Sequence, residues 1–399
     1  MNLYEEIISD LLSLKTDFRI NDLDETLEIK TKTGWRHMNE THEDIIKLEM
    51  QEKGYGGHKN IALSTVDRAI TKRANHNRYN PIKDYFDGLP EYETRQGEYG
   101  IQPYKILEFS EYFTNPDGYF GLWLFKWMVG AIAKIVEGER NPMLVLASPQ
   151  YAGKSSLCEW LCPMKDRFIR GAINPDSKDH KLRLNVVFIW EVEELEATTR
   201  RQDVASLKSF ITLPSTYERP AYKKHPVHKT SMASFIGTIN PDGAGFLNDT
   251  TGSTRFLVCE LDAIDWQGYT ANANVDDLWS EAYWFYQNMP DSWKLSPEQD
   301  AARIKINAKF EVVSALEDAI LAKFEITTDQ ETIVTTQEIK SAIYDVYRIT
   351  NEQAFYNELG RVCNKLGVKR APRQMLNGKY LRGWKGLKMR LEETEAAPF

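Results

Sequence analysis

The stretch Met143-Leu-Val-Leu-Ala147-Ser148-Pro-Gln-Tyr-Ala-Gly153-Lys154-Ser155 decides how this 399-residue chain is read. Five apolar residues lie between Pro142 and Pro149, the pattern of a short buried strand. A helix is expected over 154–161. In a strand–turn–helix setting, Gly-Lys-Ser reads as a phosphate-binding loop. Backbone N–H groups around the turn form a nest for an anion. Lys154 is then placed to reach the β/γ-phosphates of ATP, and the Ser155 hydroxyl to bind Mg²⁺. Ser148 stands where the usual motif has Gly, which a negative φ at that position permits. Ser148, Gln150, Gly153, Lys154, Ser155 and Ser156 are the candidate ATP contacts.

Outward from this loop, strands are expected over 185–190, 234–239 and 255–261, with a second helix over 202–211. Strands alternating with helices predict an α/β domain with a mostly parallel sheet, placed at 104–290. A nucleotide hydrolase needs an acid near Mg²⁺ and a group that positions the attacking water. The second strand runs into Glu191-Val-Glu193-Glu194, where open parallel sheets bind ligands. Spacing leaves the division of labour open; Glu191 is assigned to the Mg²⁺ water and Glu194 to the attacking water. Asn240 ends the third strand and is a candidate for the water or the γ-phosphate, although Asn-Pro also starts turns. Arg255 precedes the last strand. It reads either as an arginine finger supplied by a neighbouring subunit or as a surface ion pair.

The flanks differ in character. Residues 1–75 form a small polar module, with helices expected near 3–14, 41–51 and 64–74 and a strand near 27–31. Its acids Asp22, Asp24 and Glu25 look like a solvated turn. Residues 76–103 are rich in Pro, Gly, Tyr and Asn and read as irregular linker. A large helix is expected over 119–138. It is short for a bilayer span and holds Lys126 and Lys134, so it reads as a buried amphipathic helix. A helical connector follows at 291–325, with one helix over 297–324. Helices over 336–347 and 352–366, a capping box at Thr335–Glu338 and a tight hairpin at Asn377-Gly378 suggest a winged-helix domain at 326–399. The net charge is −8, which argues against a uniformly basic nucleic-acid binder. Residues 360–390 hold ten cations and no acid, so that segment carries +10 and the remainder −18. The four cysteines show neither metal-ligand spacing nor a disulfide framework, so a reducing cytoplasm is expected. The opening MNLYEEIISD has acids where an export signal needs cations.

Taken in order, several segments resemble the virulence-associated E (VapE-type) family of phage and genomic-island proteins, related to superfamily 3 AAA+ helicases. They are Arg78-Tyr-Asn-Pro81 with Tyr85-Phe-Asp87, SPQYAGKSS, FIWEVEEL, DVASLKSFIT, Tyr217-Glu-Arg-Pro-Ala-Tyr222, IGTIN, and Leu247-Asn-Asp-Thr-Thr-Gly252 leading into Arg255-Phe256. The resemblance covers about 78–262. It implies an AAA+-like P-loop ATPase core, flanked by the small N-terminal α/β module and the winged helix. It also implies Walker A at Gly153, Lys154 and Ser155, an acidic Walker B region at Glu191 and Glu194, and sensor 1 at Asn240. Arg255 matches the finger, and Arg219 matches an arginine near a subunit interface. A hexameric ring threading single-stranded DNA, with 3′–5′ polarity, in the cytoplasm of a bacterial host, is the further implication.

Related ring helicases carry a DNA-gripping hairpin where this chain has Lys223-Lys224-His225-Pro-Val-His-Lys229. Compact cations on a hairpin can follow successive phosphates. Lys223, Lys224, His225 and Lys229 are therefore candidate single-stranded DNA contacts. Lys369, Arg370, Arg373, Lys379, Arg382 and Lys385, interleaved with Tyr380 and Trp384, are candidate duplex contacts. The leading reading is an ATP-hydrolysing replicative helicase. The competing one is a non-translocating, ATP-switched initiator or loader. A small-molecule kinase would need neither the finger nor the basic tail. No primase constellation stands in the first 75 residues, so priming is expected from a separate partner.

Overall fold

A computed structural model describes residues 3–13, 16–53, 62–97, 100–195, 204–219, 226–240, 245–247, 253–328, 332–371, 374–376 and 379–390. Its centre is a five-stranded sheet of β1 (Met143–Ala147), β2 (Phe168–Arg170), β3 (Ile189–Val192), β4 (Ser234–Ile239) and β5 (Phe256–Glu260). All pairings are parallel and the order is β5-β1-β4-β3-β2. β1 and β4 are buried at every position, which is why β1 reads as an unbroken apolar run and neither strand shows a solvent-facing alternation. β2 was not anticipated: three residues at the sheet edge are too few to show a period. The strand expected over 185–190 begins four residues later. Asn185 instead accepts a hydrogen bond from Thr216 (3.0 Å), and Glu191 falls inside β3.

Helix Phe120–Glu137 is buried along most of its length and backs the sheet, as expected. Trp127 donates to the Phe235 carbonyl at 3.0 Å. Gly130 leaves room for the Asn141 amide, which ties Trp127 to Ser234. The two lysines that argued against a membrane span are both satisfied by carbonyls. Lys126 donates to Ser292 and Lys294, and the fully buried Lys134 to Ile211 and Ala233. Burial pushes the Lys134 ammonium down to about 7. No described helix is long and apolar enough to cross a membrane.

The chain divides into two compact units, Met1–Glu311 and Val312–Phe399. In the first, the N-terminal module is a four-stranded sheet, ordered 34–37, 27–31, 18–21, 78–79, with helices Leu3–Ser13 and Leu63–His76 sharing its apolar core. The acids of its turn are not merely solvated. Asp24 pairs with Arg167, and Asp22 and Glu25 pair with Arg78. Residues 76–103 are more ordered than an irregular linker. Asn80 caps helix Pro81–Asp87, with Pro81 at its first position, which gives the Arg78–Pro81 motif a local structural cause. Tyr92 donates to the buried Glu281 at 2.6 Å, and the same carboxylate accepts the N–H groups of Lys105 and Ile106. A distant side chain thus supplies the cap that helix Tyr104–Ser110 lacks locally.

The single helix expected over 297–324 is two, Pro297–Ala308 and Ala315–Lys323. The Phe310 carbonyl accepts the N–H groups of Phe246 and Leu247, an engagement that a continuing helix forbids, and Ser314 caps the second helix. In the second unit, helices Ala315–Lys323, Thr336–Ala342 and Glu352–Lys365 share one core with small antiparallel strands. The Thr335–Glu338 capping box is present. Asn377 and Gly378 lie outside the described residues, but Leu376 pairs with Lys379, as a hairpin requires. Trp384 is 5% exposed and belongs to this core, so it is not a surface ring for bases.

Candidate functional site

The C-terminal ends of β1, β3 and β4 converge on a cavity of about 730 Å³, lined by Gln150–Ser156, Ala172, Glu193, Glu194 and Thr238–Asn240. Ser148 leaves β1 fully buried, and its N–H donates to the Ile239 carbonyl (3.3 Å), so the loop root extends the ladder with β4. Ser148 is not among the positive-φ residues, which accommodates its replacement of Gly. Tyr151 (φ 65°) and Gly153 (φ 98°) are left-handed, one residue apart. Such alternation turns successive N–H groups to one side of the chain. For Tyr151 the conformation costs about 1–2 kcal/mol, and its ring is 94% exposed.

Lys154 opens helix Lys154–Trp160 and folds back over the loop. Its Nζ donates to the carbonyls of Ser148 and Pro149 (3.0 Å for the latter) and to Asn240 Oδ1 at 3.1 Å. The lysine and the asparagine, singled out 86 residues apart, are thus in direct contact. The acceptors are neutral oxygens, which an incoming anion can displace.

The acids sort differently from the sequence reading. Glu191 is 0% exposed and does not line the cavity. Its Oε2 accepts from Arg170 Nε at 2.7 Å, and its Oε1 has no hydrogen-bond partner among the described residues. Glu193 and Glu194 line the cavity, Glu194 with a left-handed φ of 46°. Arg170, on β2, also lies 3.5 Å from Glu193 and donates to the Ser155 carbonyl at 3.2 Å. It therefore links the acidic strand to the start of the loop helix. Sequence reading missed both Glu193 and Arg170. Strand alternation would have put Glu193 on the face of Glu191; nothing in a three-residue edge strand marks Arg170.

Arg255 ends a single turn, Ser253–Arg255, ahead of β5. Phe256 pairs with Met143 and Glu260 with Ala147, so Arg255 sits at the opposite end of the strands from the loop. Five residues of strand, roughly 16 Å, separate the two. Arg219 is exposed after strand Ser215–Glu218. That strand pairs antiparallel with Val227–Thr230, framing the expected hairpin, while Lys223, Lys224 and His225 lie outside the described residues. Lys229 donates to the carbonyls of Asp22 (2.7 Å) and Leu23 (2.9 Å) and lies 3.3 Å from Glu25. It holds the N-terminal module rather than facing solvent. Lys369, Arg370 and Arg382 are exposed, and Lys385 is half-buried opposite Lys369. Arg373 lies outside the described residues, as does the side chain of Lys379.

No curated protein matches the chain. The apo structure of the NrS-1 C-terminal region is similar in fold, with a TM-score of 0.51 at 13% identity over 97% of this chain and 100% of that one. A second apo form of that region has a TM-score of 0.48 at 14% identity, over 94% and 98%. The virulence-associated protein E-like domain profile matches residues 105–312, just over half of the chain, and takes in the whole cavity. The chain belongs to the virulence-associated protein E-like family.

Proposed function

We propose that this chain is a DNA-dependent ATPase of phage or mobile-element replication, acting as a ring helicase on single-stranded DNA. One observation carries the reading: Lys154, Glu193, Glu194 and Asn240 meet in a single cavity beside a left-handed loop at the ligand-binding edge of a parallel sheet. The core is then a P-loop ATPase of the AAA+ type. ATP fits the cavity by its anion-seeking groups.

Among the described residues, no cluster of three or more His, Cys, Asp or Glu holds a metal alone. The Ser155 hydroxyl with Glu193 and Glu194 suits Mg²⁺ when phosphate oxygens complete its shell. Bound there, Mg²⁺ would neutralise phosphate charge. Lys154 exchanges its loop carbonyls for β/γ-phosphate oxygens. Glu194 orients the attacking water and accepts its proton, and Asn240 holds that water in line. Glu193 takes the metal-water role first given to Glu191, because Glu191 is fully buried, does not line the cavity and is bonded to Arg170. Arg255 cannot reach its own cavity from the far end of the strands, which favours its action on a neighbour's γ-phosphate. On this reading the ring is required for hydrolysis, because the finger comes from a neighbouring chain.

The second unit, with three helices and small antiparallel strands, supports a winged-helix reading and duplex contacts. Polarity of 3′–5′ and a separate primase belong to the same proposal. The initiator or loader reading shares every one of these groups. ATP turnover measured with and without single-stranded DNA, across protein concentrations spanning assembly, separates them. Strong stimulation is expected; turnover indifferent to DNA would replace the helicase with the initiator.

A further inference from the structure

Helix Glu352–Lys365 is divided cleanly by its environment. Phe355, Leu359, Val362 and Cys363 are buried in the core of the second unit. At 100° per residue, Gln353, Asn357, Gly360, Arg361 and Asn364 fall within one arc of about 100° on the other side. Gln353, Asn357, Arg361 and Asn364 are exposed, and that arc has no carboxylate. The neighbouring acids look elsewhere: Glu352 pairs with Lys340 and Glu358 accepts from Tyr347. A Cβ at Gly360 would meet nothing within 4 Å, so the edge of the arc at Gly360 is flat and open. Gln353 donates to Asn357 at 3.2 Å, aligning two amides one turn apart.

Amides and a guanidinium on a smooth, rigid helix face match the donor and acceptor edges of base pairs in the major groove. Asn and Gln suit adenine, and Arg suits guanine. The surrounding charge fits the same partner. Exposed Lys369 and Arg370 follow the helix directly, and Lys369 stands opposite Lys385 across a strand pair. Like charges so placed repel each other and are relieved by an anion between them.

We infer that this face reads the sequence of duplex DNA in the major groove, with Gln353, Asn357, Arg361 and Asn364 as the base-contacting set and Lys369, Arg370 and Lys385 on the phosphates. The inference rests on the proposal that the second unit binds duplex DNA, and it adds sequence specificity to it.

The test uses the full chain and a random-sequence duplex DNA library, selected over repeated rounds of binding. One short sequence should be enriched. Asn357→Ala and Arg361→Ala should each weaken binding to that sequence by about tenfold or more, while leaving affinity for scrambled duplex within about twofold for Asn357→Ala. Lys369→Ala should weaken both duplexes alike. Ala is a good helix former at these exposed sites, so folding is preserved; thermal melting of each variant checks it. Duplex binding without any enriched sequence overturns the inference and leaves the DNA-binding proposal standing. An enriched sequence indifferent to both face variants places the reader elsewhere and also overturns it. Absence of duplex binding overturns the proposal beneath it.

Discussion

The cavity edge of the core and the basic face of the second unit both present cations, and they hold them in opposite ways. At the cavity and beside it two cations are tethered. Lys154 is bonded to its own loop and to Asn240, and Arg170 to Glu191 and Ser155. On the second unit, Lys369, Arg370 and Arg382 stand exposed. Tethered groups fix where charge acts, which transition-state stabilisation requires. Exposed groups supply a field that tolerates displacement along a polymer. The difference teaches that the two regions should fail separately and by different measures.

The sharpest break is Lys154→Ala. Phosphate release should fall by about 10³-fold, at the upper end for loss of a single charge-stabilising donor, while duplex DNA affinity by fluorescence anisotropy stays within about twofold. A parallel loss of duplex affinity would merge the regions. Next comes Arg170→Met, which strands the buried Glu191. Removing one partner of a fully buried pair costs about 3–5 kcal/mol. Arg170 is 38% exposed, so solvent screening reduces the expectation to about 1–2 kcal/mol in urea unfolding. Adding Glu191→Gln should restore part of that loss; strict additivity would deny the pairing. Smaller is Lys369→Ala, which should lower the salt slope of duplex binding by about one and leave DNA-free ATP turnover unchanged. Smallest is Tyr151→Gly. Relief of a left-handed side chain, about 1–2 kcal/mol, outweighs the added chain entropy of Gly, about 0.5–1 kcal/mol. A melting temperature at or slightly above the parent's is expected, and a clear drop would mean that the Tyr151 ring is held by the protein.

What sequence could show follows the same division. β1, its loop and the loop helix are contiguous, so their reading needed only local pattern. Asn240 at the tip of β4 stood out because β4, Ser234–Ile239, is rich in Phe and Ile and ends at an Asn-Pro pair. Glu191 falls inside β3 and is buried because the strand begins late, at Ile189, after a buried but irregular approach through Val187 and Phe188, while Glu194 lines the cavity. Arg170 depends on the pairing of β2 with β3, which no local window contains. In the second unit, the +10 count for residues 360–390 was true of the segment and incomplete for the fold. Glu317 pairs with Lys365, and Glu325 stands opposite Lys388. Trp384 looked like a surface ring because its neighbours in sequence are charged, while its neighbours in space are Val334 and the helix core.

Lys229 gives the hairpin a fixed root. Its ammonium is clamped by the carbonyls of Asp22 and Leu23, so the return strand Val227–Thr230 is tied to the N-terminal module. A pull at the tip is then felt as torque on residues some two hundred positions away in sequence. If the hairpin holds DNA as proposed, the coupling is reciprocal: whatever bound DNA does to the docking of the module, release of the module does to DNA binding, by the same factor. On the proposed function, the first eighty residues would then be a handle on DNA binding at the hairpin.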